Sequence, residues 1–185
     1  DENNNILITK YADIYMLPGG KIDKDESLED ALIRELKEEL GIEFDIKELI
    51  LNTINLYNNN ENININFIEE NASDYEINSD KNNLSIVFGN ILKNAIQAIG
   101  KKEDGLIEIN IKDSGDRFLI KIKDNGCGIG EEEKKKIFIP NFTTKSSGMG
   151  VGLSIVYDIL ETLGGNITFE SELGVGTTFF VEIRK

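Results

Sequence analysis

Three groups of residues in this 185-residue chain have the types and spacing to do chemistry. Glu35, Glu38 and Glu39 fall at i, i+3 and i+4, so on a helix they share one face. Carboxylates that close repel one another unless a cation sits among them, and an oxygen-only ligand set suits Mg²⁺ or Mn²⁺. The same three residues would also suit a solvated helix face. Asn90, Asn94 and Gln97 fall at i, i+4 and i+7 and form a polar stripe. An asparagine carbonyl can ligate Mg²⁺ while its NH₂ donates to a phosphate, and an ordinary surface stripe looks the same. The third group is two glycine-rich stretches. "DNGCGIG" runs from Asp124 and carries Gly126, Gly128 and Gly130; "GMGVGLSIV" carries Gly148, Gly150 and Gly152. The first can bring backbone close to a flat ligand while Asp124 accepts from an exocyclic amine. It is equally compatible with an Asp-led turn. The second opens a helix, whose free N–H groups and positive dipole end suit phosphate.

Composition narrows the options. The chain has no histidine, which excludes Ser-His-Asp and Cys-His catalysis and leaves carboxylates, amides, lysines, backbone groups and bound metal. A net charge of -14 argues against nucleic acid or an anionic membrane surface as partner, but permits a nucleotide whose phosphates carry a metal ion. The single cysteine, Cys127, allows no intrachain disulfide and points to a reducing, cytoplasmic setting. No apolar run is long enough to span a membrane.

The elements that must position these groups follow from periodicity. Short strands are expected at 6–9 and 14–17, a helix over 27–40 stopped by Gly41, and further strand over 44–57. The polar run 58–62 reads as a linker, and the charge balance changes there: residues 1–62 hold 15 acidic and 6 basic residues, residues 63–185 hold 19 and 14. Beyond it, alternation predicts a strand at 63–67 and Asp80 caps a helix over 81–99. A hairpin turning at Gly115-Asp116 joins strands at 106–114 and 117–125. A helix over 150–163 and two strands at 166–171 and 177–185 close the chain.

Taken in order, the boxes of the second half closely resemble the ATP-binding catalytic domain of sensor histidine kinases, within the gyrase, Hsp90, histidine kinase and MutL superfamily. "NILKNAIQAI" is similar to its N box, "DNGCGIG" to its G1 box, and "FIPNF" (Phe138, Pro140, Phe142) to its F box. "GMGVGLSIV" is similar to its G2 box and "GVGTTF" to its last glycine turn and strand. The resemblance covers 63–185. It implies an α+β fold, a two-layer α/β sandwich of the Bergerat type, with helices on one face of a mixed sheet. ATP would lie under a short lid, "TTKSS". The cofactors implied are ATP and Mg²⁺. Asn94 would hold the metal and Asp124 read the adenine. Gly126, Gly128, Gly130, Phe142, Gly148, Gly150, Gly152, Leu153 and Thr178 would line the nucleotide, and Lys145 would meet its phosphates. ATP-hydrolysing members resemble one another in a water-activating Glu four residues before the metal Asn. Here that position is Asn90, which is no general base and favours phosphoryl transfer. The partners implied are a histidine-bearing dimerisation domain on another segment or chain, and a response regulator downstream.

The glutamates acquire a context too. Gly20, five residues, Glu26, seven residues, then "RELKEELGI" resembles the Nudix box at each fixed position, with "LPGG" before it. Carried over, Glu35, Glu38 and Glu39 would ligate Mg²⁺ while Arg34 and Glu26 brace the loop. This resemblance spans 6–57, less than half of a Nudix domain. Alternative readings therefore stand beside the kinase module: a Nudix-type hydrolase of nucleoside diphosphate derivatives, a non-catalytic ATP-binding interaction module, or an artificial fusion of the two families.

Overall fold

The computed structural model describes residues 9–11, 14–16, 43–57, 62–70, 75–142 and 150–185. The chain divides into two units, Asp1–Ile42 and Glu43–Lys185. In the first, β1 (Thr9–Tyr11) and β2 (Ile14–Met16) pair antiparallel, with Thr9 opposite Met16. The expected helix over 27–40, with Glu35, Glu38 and Glu39, lies outside the described residues.

The second unit begins with β3 (Glu43–Asp45) and α1 (Ile46–Tyr57). Strand was expected over 44–57, because three isoleucines and Thr53 raise β-propensity there. The period is nevertheless helical: Ile46, Leu49, Ile50, Thr53 and Ile54 are the buried positions. Asp45 caps the helix by accepting from the Glu48 N–H at 3.0 Å. These residues join the core of the larger unit, so it starts fifteen residues before the Asn-rich stretch.

Next come β4 (Ile63–Glu70), β5 (Glu76–Asn78), which pairs with β3, and α2 (Lys81–Ile99). The hairpin strands β6 (Gly105–Asp113) and β7 (Arg117–Asp124) follow, then a single-turn helix α3 (Glu131–Lys134). The chain closes with α4 (Gly152–Thr162), β8 (Asn166–Glu172) and β9 (Gly176–Arg184). The main sheet has the order β4-β6-β7-β9-β8. Only β4 and β6 are parallel within it, and α2 lies in the crossover that such a pair requires. The α+β architecture and the mixed sheet expected from the sequence are both present.

Alternation gives the sheet one apolar face. Ile107, Ile109 and Ile111 of β6, Phe118, Ile120 and Ile122 of β7, and Phe179, Val181 and Ile183 of β9 are buried. Leu84, Val87, Phe88, Ile91, Leu92, Ala95 and Ile99 of α2 and Val156 and Leu160 of α4 complete that core. The opposite face carries Glu108, Lys121, Lys123 and Glu182 and a broad groove that holds none of the buried polar residues of the inner face. Among the described residues no helix is long and apolar enough to cross a membrane.

Candidate functional site

The buried polar side chains among the described residues are Thr53, Asp124, Ser154 and Thr177. Thr53 and Ser154 satisfy themselves locally: their hydroxyls donate to the Leu49 carbonyl at 2.8 Å and the Val151 carbonyl at 3.0 Å. Asp124 and Thr177 instead face each other across strands. A carboxylate taken out of water is costly unless hydrogen bonds replace its hydration. Asp124 Oδ1 accepts from the N–H of Gly126 at 2.8 Å and of Thr177 at 3.3 Å.

The sheet register explains why these residues meet. Going across the strands, Ile120, Val181 and Ile167 form one inward row, and Ile122, Phe179 and Phe169 form the next. One further step brings Asp124, Thr177 and Ser171 into line. A period of two along three strands thus ends an apolar face in a polar row at the sheet's edge. The threonine beside Asp124 is therefore Thr177. Thr178, expected at the site, pairs with Lys123 and Glu170 in the alternate register and belongs to the other face.

The glycines after Asp124 are tied to the fold around them. A Cβ at Gly126 would lie 2.6 Å from the backbone of Ala98 in α2, and one at Gly128 would lie 2.0 Å from the Glu172 carbonyl oxygen. Gly128 also has φ +68°. Their lack of a side chain is required by the protein packed against them. Backbone bonds fix the loop further. Cys127 N–H donates to the Ala98 carbonyl at 3.0 Å, and Gly174 N–H donates to the Cys127 carbonyl at 2.8 Å. Gly130 precedes α3, and there a Cβ would meet only the end of the Glu133 side chain.

Asn125, which periodicity did not single out, ties the strand ends together. Its Oδ1 accepts from Leu106 N–H at 2.9 Å and its Nδ2 donates to the Asp104 carbonyl at 2.7 Å. Thr177 and Ser171 were likewise not anticipated, although each continues the buried face of its own strand.

On α2, Asn90 Nδ2 donates to the Ile86 carbonyl at 2.9 Å. A Cβ at Gly152 would lie 2.8 Å from Asn90 Oδ1, so the start of α4 rests against this side chain. Asn94 is half-buried one turn further along the same stripe. The start of α4 has no side-chain cap and no acidic residue in its first turn. Among the described residues, no capping side chain answers its first N–H groups, which include that of Leu153. Gly150 enters it at φ +68°, where a Cβ would meet the Phe142 carbonyl oxygen at 2.5 Å. Phe142 and Gly150 therefore meet through backbone. Phe138 packs edge-on against Phe169 and beside Tyr157, with ring centroids 5.9 and 5.7 Å apart, which anchors this segment to the apolar row below Asp124. Lys145 and Gly148 lie outside the described residues.

These parts suit a purine nucleotide. There is a fixed buried acceptor, an uncapped helix start for anionic oxygens, and a half-buried amide oxygen on the helix beside it. Among the described residues there is no cluster of three or more acidic or cysteine side chains for a metal, so a cation here would depend on amide and phosphate oxygens.

Comparison with known proteins agrees with this geometry. Residues 79–185 match the family model "Histidine kinase-, DNA gyrase B-, and HSP90-like ATPase", and residues 1–84 match the model "NUDIX domain". The sensor histidine kinase ZraS of Escherichia coli is 42% identical over 104 residues, which cover 56% of this chain and 22% of that protein. The catalytic domain of histidine kinase ThkA superposes with a TM-score of 0.69 at 36% identity, covering 78% of this chain and 95% of that one. ThkA solved in complex with the response regulator TrrA gives a TM-score of 0.64 at 35% identity, over 78% of this chain and 41% of that one. The 78% share is close to the Glu43–Lys185 unit in size. The chain belongs to the histidine kinase-, DNA gyrase B- and HSP90-like ATPase family, and its larger unit has the fold of a histidine kinase catalytic domain. It spans about a fifth of the length of the curated relatives it matches.

Proposed function

We propose that Glu43–Lys185 is the ATP-binding catalytic domain of a sensor histidine kinase and that its site is built on Asp124. The observation that carries this is the buried carboxylate at the end of the apolar sheet face, held by two backbone N–H groups. A carboxylate so fixed is an acceptor of the kind that an exocyclic amine of adenine requires. The first N–H groups of α4 bind phosphate oxygens, and Asn90 holds that helix start in place from α2. Asn94 supplies an amide oxygen for Mg²⁺, and Lys145 supplies a cation for the phosphates. When bound, Mg²⁺–ATP supplies the phosphoryl group that is transferred. Asn90 cannot abstract a proton from water, so the site favours transfer over hydrolysis.

With no histidine in its sequence, the chain supplies one half of a transfer reaction. The acceptor is a histidine on a separate dimerisation segment or chain, and a response regulator takes the phosphoryl group next. Incubation with radiolabelled ATP and an added histidine-bearing helical-hairpin domain labels that domain and leaves this chain unlabelled. A stable phosphoryl group on this chain, or no labelling of any acceptor, contradicts the assignment.

The NUDIX match supports a second reading for the first residues. Glu35, Glu38 and Glu39 would hold Mg²⁺ for attack of water on a diphosphate linkage. Release of a nucleoside monophosphate from a nucleoside diphosphate derivative, lost in Glu38→Gln, is the outcome it requires.

A further inference from the structure

We propose that Ser171 is a positioning residue for Asp124 and thereby sets how strictly the site demands an amine on the purine. This rests on the reading of Asp124 as the adenine acceptor.

Ser171 stands at the β8 end of the polar row, opposite Thr177, which stands opposite Asp124. Its position continues the inward series Ile167, Phe169, where an apolar residue would extend the core. Instead its hydroxyl has three partners. Ile129 N–H donates to it at 2.8 Å, it donates to the Gly176 carbonyl at 3.0 Å, and Thr177 Oγ1 lies 2.9 Å away. The amide can only donate and the carbonyl can only accept. The Ser171 proton therefore goes to Gly176, and the Thr177 hydroxyl donates to Ser171. One donor and two acceptor sites fill a hydroxyl's capacity.

The partners are the two pieces of backbone that grip the carboxylate. Asp124 Oδ1 is held from one side by Gly126, at the start of the loop that ends in Ile129 and Gly130. It is held from the other side by the N–H of Thr177, next to Gly176. Ser171 itself does not bond to Asp124. It joins loop to hairpin, so that both donors stay in register. The loop has independent anchors at Ala98 and Gly174, so losing the hydroxyl loosens the grip without releasing the fold.

The test compares ATP with purine riboside triphosphate, which lacks the 6-amino group, by calorimetric titration of the full chain with Mg²⁺. The wild-type protein is expected to prefer ATP. Ser171→Ala is expected to cut that preference by about tenfold, through weaker ATP binding with the affinity for the amine-free analogue held within about twofold. Ser171→Thr and Ser171→Val have nearly the same shape; the first is expected to keep the wild-type preference and the second to lose it. Equal weakening of both nucleotides, a preference unchanged in Ser171→Ala, or identical behaviour of the Thr and Val variants overturns the proposal. A wild-type protein that binds both nucleotides equally overturns the Asp124 reading, and this proposal with it.

Discussion

Helices α2 and α4 lie side by side over the same sheet and begin in opposite ways. α2 is closed by Asp80, whose Oδ1 accepts from Asn83 N–H at 2.9 Å and whose Oδ2 accepts from the Asn83 side-chain amide at 2.8 Å. α4 begins after Val151, with no side-chain cap, no acidic first turn and a left-handed glycine one residue earlier. The first arrangement satisfies the helix from within the chain. The second has no such cap from Val151, which under the proposed function leaves its first N–H groups for the nucleotide's phosphates, in a protein whose net charge of -14 would otherwise repel an anion. Under the proposed function, the contrast separates a helix that supports the fold from one that the site uses.

Substitutions at the two starts should therefore have opposite readouts. The largest effect is expected from Gly150→Ala. A left-handed backbone costs an L-residue about 1–2 kcal/mol, and the new Cβ would collide with the Phe142 carbonyl. Mg²⁺–ATP affinity should fall by more than about tenfold in calorimetry, since relief requires moving the start of α4. Val151→Asp sets a carboxylate at the start of α4, on a helical backbone (φ -106°, ψ -12°) that cannot make the cap Asp80 makes from its extended one. Through the helix dipole alone it should raise thermal stability by about 0.3–1 kcal/mol yet weaken ATP binding about tenfold, because a carboxylate occupies the anion's place. Tighter ATP binding in that variant would erase the distinction between the helices. Asp80→Ala should do the reverse, lowering stability by about 1 kcal/mol in chemical denaturation while ATP affinity stays constant.

The smallest effect expected is at Asp113, far from either helix start in sequence. The Lys185 ammonium bonded to it at 2.7 Å, and then the Gly115 N–H at 2.9 Å, hold its carboxyl below the ordinary value of 3.8. A lowered carboxylate contributes stability that is complete above its unfolded pKa and is lost as pH falls through the folded one. Melting curves of Asp113→Asn and wild type should therefore differ slightly at neutral pH and converge below about pH 4. At the end of the β6–β7 hairpin opposite to Asp124, the pair leaves nucleotide binding unchanged.

Much of the fold around the candidate site was legible in the sequence because its signals are local. The Asp80 cap, the apolar stripe of α2 and the Gly115-Asp116 turn each lie within a few residues, and each appears where it was expected. What escaped depends on neighbours distant in sequence. The choice between Thr177 and Thr178 is made by the pairing of β9 with β7, although the alternation Thr177, Phe179, Val181, Ile183 already contained it. The purpose of Gly126 and Gly128 is set by Ala98 and Glu172, which no local pattern reveals. The helix at Ile46–Tyr57 was obscured by its isoleucines, since β-branched content outweighed a 3.6-residue spacing that burial makes plain. That helix also moves the start of the larger unit. A chain beginning at residue 63 would lose buried Ile46, Leu49, Ile50 and Ile54, and one beginning at Glu43 would keep them.

The central claim is that Asp124, fixed at the end of the apolar face, makes Glu43–Lys185 an ATP site. Calorimetric titration of Mg²⁺–ATP into the full chain, wild type against Asp124→Ala, addresses it most directly. Asp80→Ala serves as the control for general destabilisation. One saturable site is predicted for wild type and for Asp80→Ala, with affinity reduced at least about tenfold in Asp124→Ala. Equal binding by wild type and Asp124→Ala, or no binding by wild type, would contradict the account.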